Sequence, residues 1–303
     1  MATFRIYNIQ LLPLNTKKTK EVGSAGYKDL FEKFDALWVE HIKHKKILDY
    51  SFPLSNDGYI SPFTSHSIEG REYSSGAFIK FNRADEVHDL YTNETIFSAN
   101  DRIAAVSNIY HFRFVFDHRT HRLAVEENGT RLPSPQKFLN ALEFFFRPVA
   151  EKHFEKYTLK INLVSEQQQL KQVLREAAAF SKVHVKLSFN NGPSSDSILK
   201  ELKSKNVHMI EQTASAERGE TMPELPDYTK ALVENSTDYG EATITYFKDV
   251  SKNPQIEKLK RFIYKSKEFP KKISARQQSD EKDEDFIDRV WFKFRNMFSK
   301  YVE

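Results

Sequence analysis

His111, Asp117, His118 and His121 lie close together in the chain, and three imidazoles with a carboxylate make the donor set of zinc or another divalent transition metal. The spacing works against that chemistry. His111 falls on a strand, well before the turn that carries His118 and His121, so nothing local holds all three at one point; they read as surface histidines and not as a metal site. His41 and His44, three apart on a helical stretch, face much the same way without a third ligand and read as part of a solvated face. Asp238, Glu241 and Lys248 supply the residue types of a metal-dependent nuclease, in which convergent acids hold the cation and a lysine follows two residues after a strand glutamate. Here the lysine is out of that position. No GxxxxGK[ST], GxGxxG or GxSxG occurs, so nucleotide hydrolysis, dinucleotide binding and elbow-type hydrolysis have no motif behind them. The sequence names no catalytic residue, no metal and no cofactor, and it favours a binder over an enzyme.

The third constellation is a basic, aromatic-studded tract from Lys248 to Arg276, with ten Lys or Arg against three acids. Its local charge of +7 exceeds the +4 of the whole chain, which leaves the remaining residues at a net −3. Such a patch suits a polyanion, with DNA or RNA the commonest case. Lys258, Lys260, Arg261, Lys265, Lys267, Lys271 and Lys272 are the candidate phosphate contacts. Phe262, Tyr264 and Phe269 either anchor the segment or stack on unpaired bases. The competing explanation is an ordinary solvated strand whose lysines keep a sheet edge soluble. Arg113, Arg119, Arg122 and Arg131, around the histidine turn, are candidates to extend the patch.

The elements that must position these groups follow from periodicity. Alternation over Phe4–Leu11, with a stop at Pro13, predicts a strand, and apolar residues at 27, 30, 31, 34, 37, 38 and 42 predict a helix over Tyr27–Lys46. Residues 51–74, rich in Ser, Gly, Pro and Asn, read as a long surface loop, followed by a strand near Gly76–Phe81. Tyr110, Phe112, Phe114 and Phe116 alternate with His111, Arg113 and Val115, predicting a hairpin over Ile109–Val125. A helix over Gln136–Phe154, capped at Ser134, should kink or end early at Pro148. Then come strand Thr158–Val164, helix Gln167–Phe180, strand Val183–Phe189, a GPSSD turn, helix Ser197–Ser204 and strand Val207–Gln212. A charged linker from Thr213 to Pro226 leads to helix Asp227–Asn235, and a strand over Glu241–Phe247 runs into the basic tract.

An acidic linker, SDEKDED, precedes an amphipathic helix over Phe286–Tyr301. Its apolar face docks on its own body, on a second copy or protein partner, or on a membrane surface; the acids before it count against anionic lipid. The fold class is α+β, with mixed sheets and packed helices plus this C-terminal helix. The expected divisions are an N-terminal α+β domain over 1–130, an α/β-type domain with the basic tract over 131–278, and the linker and helix over 279–303. With 25 Phe and 13 Tyr among 303 residues a real core is expected. Zero cysteines exclude disulfides, thiolate zinc sites and cysteine nucleophiles. The N-terminus lacks the order of a secretory signal, and no apolar run reaches the length of a membrane span. A soluble, cytoplasmic protein without a membrane partner is expected.

The opening FRIYNIQLLPL, the FRFVFD hairpin followed by a helix and YTLKINLVSE, and the late YGEATITYFKD strand resemble an uncharacterised bacterial family encoded near phage-defence genes. In order of elements the chain is also distantly similar to the phage-exclusion protein RexA and the Kiwa defence subunit KwaB. The resemblance covers about residues 1–275 and implies a homodimeric, cytoplasmic, DNA-associated antiphage defence or abortive-infection protein. It brings no catalytic residue with it. Two alternatives stay open: a metal-dependent nuclease effector, and an interaction module that senses a phage or host protein.

Overall fold

The computed structural model describes residues 1–55, 58–67, 70–84, 86–99, 105–188, 202, 204–205, 207–250 and 259–298. The expected GPSSD turn, most of the expected helix Ser197–Ser204, and Lys258 lie outside the described residues. In chain order the elements are β1 (Ala2–Pro13), α1 (Gly23–Lys43), β2 (Phe52–Ser55), β3 (Gly58–Ser67), β4 (Tyr73–Arg83), β5 (Glu86–His88), β6 (Thr95–Ser98), β7 (Val106–Asp117), β8 (Arg122–Glu126), α2 (Pro135–His153), β9 (Tyr157–Leu163), α3 (Gln167–Glu176), β10 (Ala179–Ser188), β11 (Met209–Ser215), α4 (Asp227–Tyr239), β12 (Gly240–Asp249), β13 (Leu259–Lys265), β14 (Lys272–Ala275) and α5 (Asp283–Phe298). The protein is mixed α+β, with the C-terminal helix present. Among the described residues no helix is long and apolar enough to cross a membrane.

The chain forms two compact units. The first takes Met1–Phe4, Gly23–Glu155 and the C-terminal stretch that carries α5; the second takes Arg5–Val22 and Lys156–Lys272. In the first unit β2, β3, β4, β7 and β8 pair antiparallel in that order. Phe112, Phe114 and Phe116 alternate along β7, and all are fully buried. They meet helix residues at the 3.6-residue period: Phe31 stacks on Phe116 at 4.2 Å and lies 6.1 Å from Phe114, while Phe34 stacks on Phe146 of α2 at 4.4 Å. The intervening β7 residues face α5 instead. Arg113 lies 4.5 Å over the Phe286 ring, and Trp291 Nε1 donates to Asp117 Oδ2 at 2.8 Å. The terminal helix thus buries Phe286, Ile287, Val290, Phe294 and Phe298 within its own unit, which selects self-docking among the three uses open to its apolar face.

Several expectations need correction. Residues 51–74 are not a surface loop: β2, β3 and the start of β4 run through them, with Ile60, Ser61, Ser65 and Ser74 buried. Serines at inward positions hide the period-two pattern, and Gly76 is required there because a Cβ would collide with the Thr64 carbonyl oxygen and approach the Phe114 ring to 2.8 Å. Helix α2 runs through Pro148 to His153, since Phe145, Phe146 and Val149 continue its buried stripe across the proline. Helix α3 stops at Glu176. Phe180 instead exchanges two 2.7 Å backbone hydrogen bonds with Met222, so pairing overrides the helix propensity of the alanines before it. The acidic stretch is only partly linker, because Asp283, Glu284 and Asp285 form the first turn of α5, where the helix dipole favours negative charge.

In the second unit β1 from Tyr7 to Pro13 pairs antiparallel with β9. A separate four-stranded antiparallel sheet has the order β11-β10-β12-β13. Val183, Val185 and Leu187 of β10, Ala242 and Ile244 of β12, and Tyr264 of β13 point to one face. There they pack with Leu170 and Val173 of α3 and with Leu232, Val233 and Tyr239 of α4. Both helices lie on that face, so the alternate residues of all four strands form the opposite one.

Candidate nucleic-acid interface

Strand β13 ends the described sheet and carries the middle of the basic tract. It holds to β12 in the register Phe247↔Arg261, Thr245↔Ile263 and Thr243↔Lys265. Its alternation explains the two fates of its residues. Tyr264 is buried in the core and stacks on Phe269 at 5.4 Å, and burial pushes its phenol up to about 12. Phe262, half-buried, stacks on Tyr246 at 5.8 Å with the Lys260 ammonium 5.8 Å from its ring. Tyr264 and Phe269 therefore anchor the strand to the core, while Phe262 is half-buried against Tyr246. Leu259, Lys260, Arg261, Ile263 and Lys265 are exposed.

The candidate cations separate into groups. Lys260, Arg261 and Lys265 share β13, and Lys265 pairs loosely with Glu268 at 3.4 Å. Lys267, on the short helical turn after the strand, is paired with Glu241. Lys271 and Lys272 lie farther along, where the Lys271 amide donates to the Val164 carbonyl at 2.8 Å. Lys258 lies outside the described residues.

Sequence reasoning missed Lys182 and Lys186. They stand on β10, on the outer side of the sheet, with His184 between them. Lys182 is exposed and Lys186 half-buried. Among the described residues neither they nor Arg261 form an ion pair. The signal was present in SKVHVKLS, whose polar residues alternate with the buried Val183, Val185 and Leu187.

The other constellations are occupied by the fold. Lys248 pairs with Glu176 at 2.7 Å, and that hydrogen bond lowers the carboxyl and raises the ammonium. The nuclease-like residues thus have separate partners, Glu176 for Lys248 and Lys267 for Glu241. Among the described residues no group of three His, Asp or Glu is placed to hold a metal.

The histidine turn is not a surface feature, and this corrects the sequence reading. His118 and His121 are only 3% and 9% exposed. His118 Nε2 shares a 2.8 Å hydrogen bond with the Ser74 hydroxyl, and the His121 ring lies 5.3 Å from Tyr27. Desolvation by burial lowers His118 to about 4 and His121 to about 3, with the Arg122 charge adding to the latter. Only His111 is exposed, against Phe63 at 4.9 Å. Fully buried Asp117 builds the turn, accepting from the amides of Arg119 and Thr120, the Thr120 hydroxyl and Trp291.

Three of the hairpin arginines have partners within their own unit. Arg113 is forked onto Glu126 at 2.8 and 3.1 Å, with Asp283 at 2.9 Å. Arg122 is buried with its guanidinium 4.0 Å over Phe298, and Arg131 lies 4.8 Å over Tyr110.

The chain belongs to the family described as a domain of unknown function (DUF4747), whose model matches residues 5–295. No curated protein matches it.

Proposed function

We propose that this member of the DUF4747 family binds nucleic acid without strong sequence preference, through the cations of β13. One observation carries the reading: Lys260, Arg261 and Lys265 are exposed on a strand that Tyr264 anchors to the core. The β12 ladder fixes the backbone from which they extend, Arg261 and Lys265 on one face of the strand and Lys260 on the other, so several phosphates are neutralised without first ordering a loop. Sequence-independent contact with the backbone is the mechanism, and no bond is made or broken. A role in antiphage defence and a homodimeric state are part of this proposal and rest on the sequence resemblance alone.

Charge reversal at Lys260, Arg261 and Lys265 tests the reading. Binding of a labelled oligonucleotide at low salt is expected to fall at least about a hundredfold, because three attractive phosphate contacts become repulsive. Unchanged affinity would clear β13 of the role. The same oligonucleotide incubated with the wild-type protein and Mg²⁺ or Mn²⁺ should remain intact; cleavage would replace this reading with the nuclease one.

A further inference from the structure

We infer that the ligand is single-stranded nucleic acid, laid across the open face of the four-stranded sheet and not along the outer edge of β13. The inference rests on the nucleic-acid reading above and names its substrate class. The outer face is ordered in rows by the register. Ile263, Thr245 and Lys182 form one row, and Lys265, Thr243 and His184 the next, with Arg261 and Phe247 beside them. Two lines of cations therefore run along the sheet, Arg261 and Lys265 on β13 and Lys182 and Lys186 on β10. Between them lies the neutral β12 line of Thr243, Thr245 and Phe247. With strands about 4.8 Å apart, the two cationic lines stand about 10 Å from each other.

Three features of this strip select an unpaired strand. A four-stranded sheet is about 14 Å across before its side chains are counted, whereas the major groove is about 12 Å wide and the minor groove about 6 Å, so the face cannot enter either to reach base edges. The neutral line offers the half-buried Thr243 hydroxyl and Phe247 ring, groups that serve bases once these are splayed out of a duplex, with Thr245 buried between them. Ile263 is 56% exposed in the centre of the basic strand, next to Thr245. A strand charged only for solubility has no use for a large apolar side chain there, while the face of an unpaired base covers it. Charge also bounds the strip. Glu241 and Glu211 flank Lys186 at one end of the ladder and Asp249 lies beside Leu259 at the other, so the phosphates run over the rows between them, which carry Arg261, Lys265 and Lys182.

Fluorescence anisotropy with a labelled oligothymidylate, and with a mixed-sequence duplex of the same length, tests the inference on the full chain. The account expects the single strand to bind at least about tenfold more tightly than the duplex at equal salt. Lys182→Glu should weaken single-strand binding about tenfold, although Lys182 lies outside the basic tract, and Ile263→Ala should weaken it a few-fold. Circular dichroism melts confirm that both variants are folded, and Lys182→Gln, read by a shallower salt dependence, replaces Lys182→Glu if that variant is not. If Lys182→Glu binds like wild type while charge reversal on β13 abolishes binding, the face is not the site and the β13 reading survives. Equal or tighter duplex binding also overturns the inference alone. If neither oligonucleotide binds, both readings fall.

Discussion

The hairpin turn from Asp117 to Arg122 and the edge strand β13 are both dense in residues that could do chemistry, and the fold uses them in opposite ways. At the turn an aspartate, two histidines and an arginine are folded inward under α5 and α1, each against a named partner. On β13 the aromatic residues turn inward and the cations stay in water. The first region uses polar groups to fix a hairpin; the second uses apolar groups to present charge. Spacing alone cannot tell these apart, because it records which residue types are near each other but not what covers them.

The comparison is most exposed to pH. His118 and His121 are neutral in the fold, with pKa values lowered from 6.5 to about 4 and about 3, while the unfolded chain takes up protons below 6.5. Their contribution is therefore complete above pH 6.5 and is lost as pH falls from 6.5 toward 4, by up to about 1.4 kcal/mol per pH unit for each group. Both tryptophans, Trp38 and Trp291, lie in the first unit, so urea unfolding followed by their fluorescence reports it directly. A midpoint independent of pH across that window would mean the turn is open to water.

Asp117→Ala comes next. It strands an indole, a hydroxyl and two amides in a buried site and should cost about 3 kcal/mol by the same probe. Gly240→Ala tests the second unit, since a Cβ there collides with the Lys186 carbonyl oxygen and comes within 2.9 Å of Leu187 Cα. A loss of about 2 kcal/mol is expected, read by amide exchange on β10 and β12, with tryptophan fluorescence little changed. The smallest effect belongs to Lys248→Ala, which breaks a half-exposed pair with Glu176 and should change unfolding by less than about 1 kcal/mol.

Much of the fold was legible because the strongest periodicities are the ones that pack. The β7 phenylalanines and the stripe of α5 lie in buried contacts that the spacing implied. What was hidden had a physical reason in each case. Serines inside β3 and β4 weaken the alternation, Pro148 sits in a helix held by tertiary burial, and the alanines before Phe180 favour a helix until strand pairing claims that residue. At the candidate interface the charge of β13 was visible as a run. Lys182 and Lys186 come into play only through the β12–β10 register, which no local pattern in the basic tract contains.

The central claim is that β13 cations meet phosphates, and the salt dependence of binding tests it most directly. Affinity for a labelled single strand, measured across a salt series, should fall on a log–log plot with a slope near −0.7 for each phosphate neutralised, about −2 or steeper for the three β13 cations. Replacing Lys260, Arg261 and Lys265 with Gln should flatten that slope by about 2 while leaving the unfolding of both units unchanged. A wild-type affinity indifferent to salt, or a slope that the three substitutions do not move, would contradict the account.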